Sequence, residues 1–506
     1  MYEQYVDIKK LKEIMPDANE VIIEKINKMN QLMEEGINPY PYSYDKVTHS
    51  DYIINNYHSI NSEESFNMAG RIMLLRRMGN ATFMNISDQT GDIQLYVSKN
   101  NIGQEKYKLI KLIDVGDLIG VKGTVFKTKT EEITIRVTEL TVLSKAIRPL
   151  PEKYHGIQDM DLRQRHRSLD MIMNNEVKER FINRSKAMSA LREFLNERDF
   201  IEVDTPVLDT KYGGGEAKPF ITEVNSMNTE VYMNVSPELY LKRMMVGGIE
   251  RVYTLARSFR NEGIDKTHYP EFTLFECYMA YADYNDMMEL MESLYQYVFN
   301  KVIHTTKVVY EGVEIDFKAP WKREKMCDLV KRHTHIEVEN LSKEEIVNAI
   351  EQKELLKTVQ QEGFIIREAS KGELIMTLFD EYCVQNLIQP TFVIDFPMDS
   401  SPLCKIHRDN PDLIERFEPY AYGIELGNAY SELNDSLRQR VLLNEQASKL
   451  RAGLETASPM DEEFAVAIDT GMPPAGGLGI GIDRMIMFLT GAASIKDVIA
   501  FPLVKR

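Results

Sequence analysis

Residues 257–278, RSFRNEGIDKTHYPEFTLFECY, and residues 477–484, GLGIGIDR, carry the densest set of chemically able side chains in the chain. In the first segment, Arg260, Glu262 and His268 sit in a polar loop between two strand-like runs. A strand period of two places Phe272, Leu274, Glu276 and Tyr278 on one face, so a ring, a carboxylate and a phenol can share one pocket wall. In the partner run Thr254, Ala256, Ser258 and Arg260 share a face, and the small side chains leave room beneath the guanidinium. An unpaired buried carboxylate is costly, so Glu276 on an otherwise apolar face points to binding. In the second segment Gly476, Gly477, Gly479 and Gly481 permit close backbone approach, and Asp483 is expected to cap a helix whose first turn carries Arg484. Two arginine forks suit phosphoryl oxygens.

A third group lies in RFEPYAYGIELGNAYSELND, residues 416–435. If Ala421 and Tyr422 form a two-residue turn, Glu418 and Glu425 become directly opposed across the hairpin. Opposed like charges are unfavourable, so a cation between them is expected, and hard carboxylate oxygens suit Mg²⁺ held partly by phosphates. Asn428, Tyr430 and Glu432 share parity with each other but not with Glu425, which a bulge near Gly427 would reconcile.

The elements that must position these groups follow from composition and periodicity. A chain of 506 residues exceeds a single core, so two or more domains are expected. No apolar run approaches the ~20 residues of a membrane span, and the start, MYEQYVDIKKLKEIMPD, lacks the apolar stretch of a secretion signal, so a cytoplasmic protein is expected. The four cysteines, Cys277, Cys327, Cys383 and Cys404, are too scattered for a disulfide framework or a zinc ribbon, and His333 and His335 are read as surface residues. The net charge of −17 is uneven: residues 66–150 hold thirteen basic and eight acidic side chains. A basic module on an acidic body confines phosphate attraction to one face.

Residues 1–65 form an N-terminal extension with a helix over 19–36, and NPYPY is a linker. From 66 to 146 five short alternating runs with one helical insert suit an OB barrel, or an SH3-like one. Residues 147–170 are a hinge rich in Arg, His and Pro. From 171 to 506 a long helix leads into IEVDTPVL, strands are expected to about 320, a helix-rich segment over 321–390, sheet over 391–433, and a helix near 436–453. Strands with helices outside them indicate an α+β domain on a mostly antiparallel sheet.

These segments resemble the class II aminoacyl-tRNA synthetases, and in detail the lysine-specific ones. FRNEG and the strands around it match motif 2, GLGIGIDR motif 3, and IEVDTPVL with Pro206 motif 1, which in that class builds a homodimer interface. The resemblance covers nearly the whole chain. It implies ATP bound by Arg260 at the α-phosphate, Glu262 and Phe272 at adenine, His268 at the outer phosphates and Arg484 at the γ-phosphate, with Mg²⁺ on Glu418 and Glu425. It implies L-lysine held by Glu432 and Tyr278 at the ε-ammonium, Glu238 and backbone near Gly214 at the α-amino group, and Arg260 with Asn428 at the carboxylate, with Glu276 and Tyr430 alongside. It implies that Phe83 and Gln94 read the anticodon of tRNA(Lys). An aspartate pocket would need a cation for the substrate carboxylate, and none stands at these positions. Gly215 stands where alanine is usual, and RQRHRSLDMIMN is looser than the usual hinge. A protein-directed lysyl transferase and a non-catalytic RNA-binding or regulatory relative remain open alternatives.

Overall fold

The computed structural model describes residues 11, 13–45, 47–151, 159–361, 364–454 and 456–504. The first ten residues and positions 152–158, in the middle of the expected hinge, lie outside the described residues. The chain forms two compact units, Met1–Gln158 and Asp159–Arg506. The later part of the expected hinge is helical, over Met160–Arg165 and Arg167–Met173, within the second unit.

In the first unit, β1 (Ser65–Met78), β2 (Ala81–Ser87), β3 (Asp92–Ser98), β4 (Leu118–Lys127) and β5 (Ile133–Ser144) close into a barrel in the order β1-β2-β3-β5-β4. Closure comes from a parallel pairing of β3 with β5, which the short helices between Lys99 and Lys111 make possible by carrying the chain across. Strand alternation fills the interior with Met84, Ile86, Ile93, Leu95, Ile135 and Val137. Helix α1 (Glu20–Glu34) is capped by the Asn19 side chain. It is tied to the barrel by Lys25, whose buried ammonium donates to the carbonyls of Val115 and Ala146.

The second unit is built on a nine-stranded sheet. Its strands are β6 (Ile201–Glu202), β7 (Arg251–Phe259), β8 (Glu271–Ala280), β9 (Lys322–Lys325), β10 (Thr391–Pro397), β11 (Leu413–Ala421), β12 (Ile424–Glu425), β13 (Gly427–Ser431) and β14 (Ala475–Gly481). The order is β9-β10-β11-β13-β14-β8-β7-β6, with β12 on β11. Only the outermost pairs, β9 with β10 and β6 with β7, are parallel. The mostly antiparallel α+β architecture expected from sequence is therefore present.

Two stretches expected as strand are helix. After α2 (Asn175–Asn196) these are α3 (Glu238–Val246) and the longer α4 (Tyr284–Ile303). Its aromatic and β-branched content suits strands, but Asp283 and Asp286 form a reciprocal capping box. Met287, Met291, Leu294, Tyr295, Val298 and Phe299 then return at helical spacing and are buried under the sheet. Tertiary burial overrides local propensity.

Candidate active site

Strands β8, β13 and β14 lie side by side, and their shared face floors a cavity of about 220 Å³. Glycines make that floor low. A Cβ on Gly477 would lie 2.0 Å from Glu432 Oε1 and 2.5 Å from Tyr278 Cε1, so no larger residue fits there as the structure stands. Gly214, Glu238, Arg260, Glu262, His268, Phe272, Glu276, Tyr278, Glu425, Asn428, Tyr430 and Arg484 all line the cavity. Glu418 and Glu432 stand just behind the lining, and Phe83 and Gln94 belong to the other unit.

At one end are the two arginines. Arg260 follows β7, its guanidinium 5.2 Å from the centre of the Phe272 ring. Burial lowers its affinity for a proton, opposed by Glu425, Glu262 and Glu276, yet no carboxylate among the described residues pairs with it and its Nε has no hydrogen-bond partner. A buried fork in that condition is ready for an anion. A methyl group at Gly215 would make ordinary contacts of 3.5 Å with Arg260 and Val235, so the departure there costs the site nothing.

Arg484 lies in the first turn of helix α6 (Ile482–Thr490), which comes after helix α5 (Lys371–Tyr382) in the chain. It donates to the Glu425 carbonyl at 2.7 Å and to the Thr267 carbonyl at 3.3 Å. Asp483 does not cap this helix: the cap position is Gly481. The Asp483 carboxylate instead accepts from the Thr273 backbone N–H and from Arg184, both at 2.6 Å, and so pins the helix start to β8 and α2.

The hairpin after β11 differs from the expected one. The turn is Tyr422-Gly423, both at positive φ (50° and 69°), which fits the tight turn that strand twist favours. Tyr420, not Glu418, therefore opposes Glu425. The pairing then shifts by one residue between Tyr420↔Glu425 and Phe417↔Ala429, so a bulge does separate Glu425 from the parity of Asn428 and Tyr430. Glu418 accepts from Arg416 and from the Tyr420 hydroxyl, each at 2.6 Å. Burial pushes the Glu418 carboxyl up, Arg416 pulls it down, and the nearby Glu425 adds repulsion. That mutual repulsion, with Glu425 on the cavity wall, fits a divalent cation shared with a bound polyphosphate. Among the described residues no group of three or more His, Cys, Asp or Glu is arranged to hold a metal by itself.

At the other end the cavity is acidic. Glu276 accepts from Ser236 at 2.7 Å and from Tyr278 at 3.1 Å, and Tyr430 donates to Glu238. Burial and then Glu238 push Glu276 up to about 8. Burial pushes Glu432 up to about 8 against the pull of Lys242. Lys242 is the residue sequence reasoning missed. Its ammonium is fully buried, donates to Glu238 Oε1 at 2.6 Å and forms an ion pair with Glu432, so a cation stands behind the acidic positions although none stands at them. The available signal was the Glu238–Lys242 spacing of four on a helix.

In the barrel, Phe83 alternates with buried Thr82 and Met84 and so faces outward, tilted against Tyr96 at 5.2 Å between ring centres. Gln94 also faces outward, donating to Glu132 at 2.7 Å and accepting from Thr134 at 2.9 Å. No helix of the described residues is long and apolar enough to cross a membrane.

Comparison with known proteins agrees with this geometry. The family described as tRNA synthetases class II (D, K and N) matches residues 159–505. The OB-fold nucleic acid binding domain family matches residues 66–143. The lysine–tRNA ligase of Clostridium novyi (strain NT) is 46% identical over 490 residues, covering 97% of this chain and 95% of that protein. Those of Thermoanaerobacter sp. (strain X514) and Thermoanaerobacter pseudethanolicus are 47% and 48% identical over 490 residues, covering 97% of both chains in each case. With the barrel, the antiparallel sheet and the two-ended cavity in place, the chain belongs to the class II tRNA synthetases of the D, K and N type, in the lysine–tRNA ligase family.

Proposed function

We propose that this protein charges tRNA(Lys) with L-lysine, working as a homodimer in the cytoplasm. A lysine carboxylate oxygen attacks the α-phosphorus of ATP, the bond to the β-phosphate oxygen breaks, and pyrophosphate leaves. The terminal ribose hydroxyl of the tRNA then attacks the lysyl carbonyl and AMP departs. No side-chain nucleophile is required, since positioning and charge stabilisation carry both steps.

The observation that carries this reading is the polarity of one cavity, with Arg484 and unpaired Arg260 at one end and Glu238 and Glu276, backed by buried Glu432, at the other. Arg260 takes the α-phosphate and, with Asn428, the lysine carboxylate. Phe272 stacks on adenine, Glu262 accepts from its amino group, and His268 and Arg484 hold the outer phosphates. Glu432 and Tyr278 receive the ε-ammonium, and Glu238 with backbone at Gly214 the α-amino group. Glu418 and Glu425 are the residues that would hold Mg²⁺, which supplies neutralisation of phosphate charge. Support for the dimer is the edge strand β6 and the segment after it, where Ile201, Val207 and Leu208 are about half exposed. The outward Phe83 and Gln94 support anticodon reading by the barrel.

Amino-acid-dependent exchange of pyrophosphate into ATP, run with each of the twenty amino acids, tests the proposal. Lysine alone should drive exchange; silence with lysine, or a stronger response to another amino acid, would overturn it.

A further inference from the structure

Helix α3 carries Glu238 at its first residue and Lys242 one turn later, so both point to the same side. Across from them, Glu432 follows β13 and is held by its backbone N–H on Ala475. Lys242 bridges the two. Its ammonium contacts Glu238 Oε1 and Glu432 Oε2, and its side chain has no exposed surface. It also lies 5.4 Å from the centre of the Tyr430 ring. Both Glu432 oxygens are buried without a hydrogen-bond partner among the described residues; Oε2 has the Lys242 ion pair, whereas Oε1 has none and lies over the α-carbon of Gly477, which lines the cavity.

We propose that Lys242 is a specificity-determining residue: a built-in ammonium that pairs with one oxygen of Glu432, favours the charged form of that carboxylate and presents the other oxygen to the substrate's terminal ammonium. The proposal rests on the lysine-charging reading above. Its physical basis is a count of charges in a dry site. Glu238, Glu276 and Glu432 bring three negative charges, while a bound lysine brings two ammonium groups, and Lys242 supplies the third positive charge. Without it a carboxylate surplus would be relieved by protonation, and Lys242 is the group that pulls Glu432 back towards its charged form against burial. A protonated Glu432 would no longer prefer an ammonium to a methyl group.

The groups facing this centre are few. Glu238 lies on the same helix, Glu276 and Tyr278 come from β8, and Tyr430 with Glu432 from β13 and its end. Cys404 approaches from the strand bridged to Glu432, with Arg416 beyond it. Burial alone would strip the proton from Lys242, but Glu238 and Glu432 override it and hold the ammonium above its ordinary value. Lys242 therefore stays charged throughout the working range, and Glu432 is the group that answers to its loss.

The experiment uses the full-length enzyme and pyrophosphate exchange with lysine and with norleucine, which ends in a methyl group. In Lys242→Met, discrimination for lysine over norleucine should fall at least tenfold, KM for ATP should stay within about threefold, and the pH at which lysine KM levels off should move up by at least one unit. Lys242→Gln, which retains length and a donor, should show the same split if the methionine variant folds poorly. Lys242→Arg, which retains the charge, should keep the wild-type pH profile. Unchanged discrimination and pH profile in folded Lys242→Met or Lys242→Gln would overturn the proposal, as would loss of both in Lys242→Arg. A wild-type enzyme with no lysine-dependent exchange would instead defeat the lysine-charging reading itself.

Discussion

Arg484 Nη2 stands 3.1 Å from the ring Nε2 of His268, whose Nδ1 is 2.8 Å from Asp265. A guanidinium can only donate, so Nε2 is the acceptor and the ring proton sits on Nδ1, facing the Asp265 carboxylate. The loop and the helix start are thereby joined before any nucleotide arrives. The guanidinium proposed to hold the outer phosphates is thus oriented by the loop that faces it.

Removing either clamp should abolish adenylate formation with little loss of fold. Arg260 pairs with no carboxylate among the described residues, so Arg260→Ala leaves no orphaned partner. We expect Arg260→Ala and Arg484→Ala each to lower lysine-dependent exchange by about two orders of magnitude or more, the scale of losing one charge-stabilising donor. Near-normal exchange in either folded variant would remove that arginine from the mechanism.

Lysine affinity should improve as pH rises. Glu276 and Glu432 are both pushed up to about 8, so below that pH the empty pocket holds protons that an ammonium must displace. Lysine KM should fall from about pH 6 towards about pH 8, by up to about tenfold per unit for one linked proton, and then level off. ATP KM serves as the internal control. A flat lysine profile would show that these carboxylates are already ionised.

Gly477→Ala should close the lysine end alone. The added methyl would lie 2.0 Å from Glu432 Oε1, displacing the carboxylate from its place over the strand. We expect lysine KM to rise about a hundredfold, or about 2.7 kcal/mol, with ATP KM little changed. Wild-type lysine KM would mean that Glu432 is not the ammonium receptor.

Phe83→Ala should separate the barrel from the chemistry. Phe83 is on the outer barrel face against Tyr96, outside the barrel core. Aminoacylation should lose about 1–3 kcal/mol in its tRNA dependence, the usual value of one stacked base, while exchange without tRNA stays normal. Equal loss of both activities with a lower melting temperature would assign the ring to stability.

Much of this was legible in the sequence because the groups concerned are local. Phe272, Glu276 and Tyr278 follow strand parity, and Arg260 comes directly after the paired strand, so a period of two is enough to gather them. The turn at Tyr422-Gly423 was misplaced by one residue, although a glycine in its second central position was the cue for left-handed backbone. Lys242 escaped for a deeper reason. A lysine on an amphipathic helix ordinarily reaches water, and only Glu432, 190 positions later, gives its ammonium a reason to turn inward. Helix α4 escaped because its rings and branched side chains suit a strand until the core they bury into is known.

The orphaned Arg260 Nε and Glu432 Oε1 are defects in the empty fold, one at each end of the same cavity. Each lacks a hydrogen-bond partner among the described residues, a cost that a bound group of the right charge would offset. By the proposed binding roles, lysyl-adenylate, carrying phosphate at one end and an ammonium at the other, would partner both at once. The intermediate is thus the species for which the folded chain has the greatest need, and it should raise the melting temperature more than ATP or lysine alone. That same need keeps a reactive mixed anhydride from drifting into water during the wait for tRNA.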